Sequence, residues 1–291
     1  MKKSALLLVL LLLLSSLSAC GKSAPQSPVT ATTPPVYCFT QRLLEGTGIS
    51  VSRLINEPVS CLHDYSLNID QVRTAESART IVISGAGLED FMGDMLKPEK
   101  IIDASAGISL LEARPHAHEE GKTLHHDHDP HIWLSPVNAQ AMAENIASGL
   151  MAAYPEQKDV ISANLESLTQ DLRDLQAYGE EALKDLSTRE LITFHDGFAY
   201  LADAFDLTIL RSIEEEHGSE ASAKDLSDLI TLVKDHDLPA IFTERNGSDA
   251  AASVIASETG AEIYELTTAM GDADYFGAMR QNIDTLKEAL S

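Results

Sequence analysis

Short apolar runs recur along the chain and are separated by segments of helical length. Thr80-Ile-Val-Ile is followed by a glycine turn and the opening of a helix in Ser84-Gly-Ala-Gly-Leu-Glu-Asp-Phe-Met. Lys100-Ile-Ile-Asp-Ala-Ser reads as another strand after a proline-containing break. With further strands near 36 to 39 and 57 to 62, this alternation predicts a parallel α/β unit. The glycines after Ser84 read as turn residues, because the full GxGxxG pattern of a dinucleotide loop is absent.

Ser135-Pro136 is a helix start, with proline at the first helical position and apolar residues recurring to about Met151. From Glu156 to about Leu186, residues Val160, Ile161, Leu165, Leu168, Leu172 and Leu175 keep a three-to-four spacing opposite a charged side. That length suggests a spine between two halves. The second half then repeats the grammar of the first, with strands at Leu191-Ile-Thr-Phe-His195, Leu207-Thr-Ile-Leu, Ala240-Ile-Phe-Thr-Glu244 and Glu262-Ile-Tyr-Glu-Leu. The expected fold class is α/β: two lobes, each a central, mostly parallel sheet flanked by helices, joined by one long rigid helix. The lobes are assigned to residues 35–155 and 188–291, with the linking helix at 156–187 and a terminal helix from Asp274.

The first residues change the picture of where this body works. Met1-Lys-Lys-Ser, an apolar run from Ala5 to Leu14 and a small-residue region read as an export signal, residues 1–19. Leu17-Ser-Ala-Cys20-Gly resembles the bacterial lipobox, which makes Cys20 a lipidated first residue on the outer face of the cell membrane. Residues 20–34 have the Ser/Thr/Pro/Ala bias of a flexible tether. No later segment offers an uncharged apolar run long enough to cross a bilayer. The net charge of -24 argues against nucleic acid or anionic lipid surfaces as partners and favours a cation. Cys38 and Cys61, in short apolar segments outside the cytoplasm, are expected to form a disulfide between neighbouring strands, with two buried thiols as the alternative.

Three histidines stand in unrelated hydrophobic settings: His63 in CLHDYSL, His131 in DPHIWLSP and His195 in ITFHDGF. Strand ends of parallel sheets face a common crevice, so residues from distant segments can converge there, and neutral imidazoles suit tetrahedral zinc. Between the first two lies a loop, 115–130, carrying His116, His118, His125, His126 and His128 among acids; it is read as a weak auxiliary metal collector or as a spacer. Glu89 and Glu244 are candidates to support a ligand imidazole or a bound water. A zinc hydrolase is the rival class. HExxH is absent, however, and in His126-Asp-His128-Asp-Pro130-His131 a proline stands where the HxHxDH signature needs its aspartate. The chain is therefore read as a binder and not an enzyme.

His63-Asp64-Tyr65, SGAGLEDFM, DPHIWLSP with its upstream histidine-rich loop, ITFHDGF and AIFTE together resemble the cluster A-I metal-binding lipoproteins of zinc and manganese ABC importers, from about Val36 to the C-terminus. The resemblance implies a monomeric, C-clamp-like receptor that binds metal between its lobes and delivers it to a membrane permease with a cytoplasmic ATPase. It also implies His63, His131 and His195 as ligands, in that order. A histidine in the third position leans toward Zn2+ over the alternative Mn2+. Thr267 and Thr268 stand where many members have a carboxylate, which removes the hard oxygen that manganese prefers.

Overall fold

The computed structural model describes residues 27–57, 62, 65–112, 128–213, 222–245, 249–271 and 274–291. Its first strand comes earlier than expected. β1 is Val29–Ala31, inside the segment read as tether, and all three residues are buried. The β-branched Val29 and Thr30 suit extended backbone as well as the surrounding Pro and Ser suit a linker. The strand expected at 36–39 is instead a helix, α1, Pro34–Leu43. Pro34 and Pro35 occupy the first helical positions, where no backbone donor is needed, and Val36, Phe39, Thr40 and Leu43 recur on its buried face.

Cys38 thus lies on a helix and is a free thiol, half-buried beside Tyr275, with its pKa raised by burial. The strand pairing on which the disulfide was premised does not exist at this residue, and Cys61 lies outside the described residues. β2, Val51–Arg53, likewise precedes the strand expected at 57 to 62. Helix α2, Ile69–Ser77, opens on a capping box between Asn68 and Gln71. β3, Thr80–Ile83, and β4, Ile101–Asp103, fall where the apolar runs placed them. The sheet is all parallel in the order β2-β1-β3-β4.

Helix α3, Pro136–Ala153, starts as expected, its N-cap Ser135 hydroxyl accepting from the Asn138 amide. Helix α4, Lys158–Ala182, follows a short 3-10 turn and runs 25 residues, about 37 Å. Its ends belong to different lobes. The Asn164 side-chain amide donates to the carbonyls of Leu43 and Glu45 at 3.0 and 2.9 Å, while Gln176 donates to the Ala204 carbonyl at 3.1 Å. Gly179 lets Phe205 of the second lobe lie on the helix, since a Cβ there would sit 2.2 Å from the ring.

The second lobe contains β5 (Glu190–Thr193), α5 (Ala199–Ala204), β6 (Thr208–Ser212), α6 (Ala223–Asp235), β7 (Ala240–Glu244), α7 (Ala250–Thr259), β8 (Glu262–Leu266) and α8 (Tyr275–Leu290). Its parallel sheet runs β6-β5-β7-β8. One buried core continues from the first lobe into the second. At the seam the Phe39 and Tyr275 rings pack edge to face at 4.8 Å, and Arg42 lies over Phe276.

Both sheets share one strand order, second-first-third-fourth. The connections around the first strand therefore leave in opposite directions, and a crevice opens at the carboxyl ends between the first and third strands, β1 and β3 in one lobe and β5 and β7 in the other. Among the described residues no helix is long and apolar enough to cross a membrane.

Candidate metal centre

The β5/β7 crevice carries the chemistry. β5 is a buried apolar strand whose extended backbone continues through His195, and the chain then turns sharply over Asp196–Phe198. His195 is buried, with the Phe198 ring edge-on at 6.0 Å. His131 arrives from the other side, just before the 3-10 turn Ile132–Leu134 that leads into α3, and is also buried.

The two rings stand nearly perpendicular, 5.1 Å apart, with their Nε2 atoms 3.3 Å from each other. Gly197 lies directly against the pair. A Cβ at this residue would be 2.7 Å from the His195 Nε2 and 2.8 Å from the His131 Nε2, so any side chain would occupy the space the nitrogens face.

Asp129 defines the His131 ring. Its Oδ1 accepts from the His131 backbone N–H at 2.9 Å and bonds the His131 Nδ1 at 2.8 Å. A carboxylate at Nδ1 calls for the N–H on that nitrogen and leaves Nε2 with its lone pair. Burial pushes the His131 pKa down, but the hydrogen bond and charge of Asp129, with Asp196 and Glu244 further off, outweigh it and the net shift is upward. The other Asp129 oxygen, Oδ2, is buried with no hydrogen-bond partner among the described residues.

The segment holding His131 is fastened to the second lobe. The Trp133 indole N–H donates to the Thr268 carbonyl at 2.8 Å, and the Tyr275 hydroxyl donates to the Trp133 carbonyl at 2.7 Å. The Tyr200 hydroxyl donates to the Asp129 carbonyl at 3.1 Å and accepts from the Leu111 N–H at 2.8 Å. Glu112 and His128, the residues next to Leu111 and Asp129, form an isolated antiparallel bridge, so Tyr200 clasps both sides of the stem of the histidine-rich loop.

Glu244 ends β7 close to His195. Its Oε1 accepts from the Thr268 hydroxyl at 3.0 Å, and its Oε2 lies 3.7 Å from the His195 Nδ1, within ion-pair reach and beyond a hydrogen bond. Thr267 and Thr268 are thus buried parts of the frame: Thr268 holds Glu244 and Trp133, and Thr267 is tied through its amide and carbonyl to Asn282.

Glu89 sits elsewhere, in the β1/β3 crevice. Its Oε1 accepts from the Thr32 hydroxyl at 2.6 Å and the Ser84 amide at 2.7 Å, and its Oε2 from the Gly85 amide at 3.0 Å. Its contacts are with the strand ends of its own lobe and not with His131 or His195.

His63 lies outside the described residues. Of its flanks, Leu62 is in the core, and the Tyr65 hydroxyl accepts from the Gln71 side chain and donates to Glu57. His116, His118, His125 and His126 also lie outside; His128 is exposed at the loop stem. Among the described residues no three His, Cys, Asp or Glu side chains gather into a metal-sized group. Sequence reasoning missed Asp129, Tyr200 and Gly197. Asp129 carried a signal in its place across Pro130 from a candidate ligand, whereas nothing local marked Tyr200.

A two-lobed α/β body with paired imidazoles at a strand-end crevice is the architecture of a solute-binding receptor for a metal cation. Residues 29–289 match the family described as zinc-uptake complex component A, periplasmic, and the chain belongs to that family. It is 29% identical over 299 residues to the high-affinity zinc uptake system protein ZnuA of Bacillus subtilis, covering 94% of this chain and 93% of that protein. It is also 30% identical to the zinc-binding lipoprotein AdcA of Streptococcus pneumoniae, where the match takes in 99% of this chain and 61% of the longer relative. The fold superposes on a crystal structure of ZnuA with a TM-score of 0.78 at 30% identity, over 90% of this chain and 98% of that one. A zinc-bound deletion mutant of ZnuA gives 0.76 at 29% identity, over 90% and 97%. Membership makes this chain an extracytoplasmic zinc-binding, solute-binding component of a zinc-uptake ABC importer.

Proposed function

We propose that the chain captures one Zn2+ through the Nε2 atoms of His131 and His195 together with His63, and hands it to an ABC permease driven by a cytoplasmic ATPase. The observation that carries this reading is the 3.3 Å between the two Nε2 atoms. Two nitrogens each about 2.0–2.1 Å from zinc and subtending a tetrahedral angle lie about 3.3–3.4 Å apart. His63 supplies the third imidazole from the first lobe, Cys20 carries the lipid, and Glu244 supports His195. The histidine-rich tract is auxiliary, gathering metal outside the tight site; His131 is held by Asp129, beyond the 116–128 segment.

The test is a zinc titration of the body lacking signal and anchor cysteine, with bound metal counted by elemental analysis. One tight zinc per chain is expected, lost in each of His63→Ala, His131→Ala and His195→Ala, and retained when residues 116 to 128 are deleted. Unchanged titrations in the three single variants would overturn the ligand set.

A further inference from the structure

We infer that Asp129 is a positioning residue for the zinc site: it fixes the tautomer and aim of His131, and is itself held from the opposite lobe by Tyr200. The inference rests on His131 being a ligand. A metal-binding imidazole must offer the lone pair of one nitrogen, and the partner of the other nitrogen decides which one is offered. Asp129 Oδ1 contacts both the backbone N–H and Nδ1 of His131, so ring and main chain are gripped by one oxygen. The ring is thereby turned to present Nε2 toward His195 at 3.3 Å, above the side-chain-free Gly197.

Two further features set Asp129 apart from an ordinary loop-stabilising residue. Its Oδ2 is buried with no hydrogen-bond partner among the described residues, so its bonding is concentrated on Oδ1, the oxygen that meets His131. Its carbonyl accepts from Tyr200, whose hydroxyl also takes the Leu111 amide, so the residue is pinned at main chain and side chain by groups from both lobes. Tyr200 thereby reaches the metal site through Asp129, without touching either imidazole in the contacts that hold it.

The experiment uses the anchor-free body carrying Asp129→Ala, Asp129→Asn or Tyr200→Phe, with His131→Ala as reference. It reads zinc affinity by competition with a chelator and the 15N shifts of the His131 ring in metal-free protein. Wild type should show a ring protonated at Nδ1. Asp129→Ala should lose that signature and bind zinc about 10–100-fold more weakly. Asp129→Asn, whose amide oxygen still accepts from Nδ1–H, should recover the signature and part of the affinity. Tyr200→Phe should weaken binding by less than Asp129→Ala. If Asp129→Ala does not fold, Asp129→Asn decides through affinity: full wild-type zinc binding in that variant, with binding lost in His131→Ala, would overturn the inference. Wild-type affinity and an unchanged ring in Asp129→Ala, with binding lost in His131→Ala, would overturn the inference alone. Retained binding in His131→Ala would instead remove the reading on which it rests.

Discussion

The first and second lobes place a crevice at the same point of the same topology, yet fill it in opposite ways. In the second lobe β5 leads into His195 and β7 ends on Glu244, and the buried His195 imidazole meets His131. In the first lobe the corresponding strands lead into Thr32, Thr33 and Ser84. There the polar groups bond one another: Glu89 collects the Thr32 hydroxyl and two backbone amides, and the Thr33 and Ser84 hydroxyls bond each other at 2.8 Å. Topology therefore locates a potential site, and the side chains at the strand ends decide whether its polar groups pair among themselves or present nitrogens to a cation.

The largest test of this contrast strips the second-lobe crevice. His195→Ala removes a proposed coordinating nitrogen and should weaken zinc binding by more than the ~100-fold that supporting residues typically account for, measured by chelator competition. Next, Gly197→Ala puts a methyl group within 2.8 Å of both ring nitrogens at a residue whose backbone is open to alanine. Overpacking costs ~1–3 kcal/mol of folding stability, so a lower melting temperature of the metal-free protein is expected, together with weaker zinc binding as the two rings are pushed apart.

Glu244→Gln keeps the acceptor for Thr268 while removing a charge 3.7 Å from His195, and should lower affinity about threefold. A loss as large as that of His195→Ala would make Glu244 a ligand and redraw the second-lobe crevice.

The smallest expected effect on zinc belongs to the first-lobe crevice: Glu89→Gln should leave affinity within about twofold. Its signature lies in pH. Burial raises the Glu89 pKa to about 7, against the opposing pull of its hydrogen bonds to Thr32, Ser84 and Gly85. Folding thus favours its protonated form, a contribution full below the ordinary value of 4.5 and lost as pH rises through about 7. Urea unfolding of the metal-free protein over that window should show wild type losing stability relative to Glu89→Gln as pH rises. A flat difference would show that Glu89 is not the buried, uncharged-leaning group described here.

Much of this architecture was legible in the chain because strand-forming runs and a long amphipathic helix carry their own period. The second lobe's strands and α3, α4, α7 and α8 fall close to where periodicity placed them. The failures cluster at the first residues of the fold. Val29–Ala31 is too short to show alternation and sits among residues that also suit a linker, and the diproline of α1 hides a helix inside an apolar segment that resembles a strand. At the site, the histidines advertised themselves through their apolar surroundings. Asp129 and Tyr200 did not, because the bond between them joins residues 71 positions apart and exists only after the lobes meet.

The early start of β1 also sets a leash. If Cys20 carries the lipid as proposed, nine Cα–Cα steps lie between it and Val29, where the sheet begins, a reach of at most about 30 Å. That is roughly the width of one small domain. A receptor held on that leash would search for the proposed permease along a surface, within a thin layer above it. At such confinement short tethers give local concentrations of order millimolar, so a docking contact far too weak to survive in solution is enough for delivery.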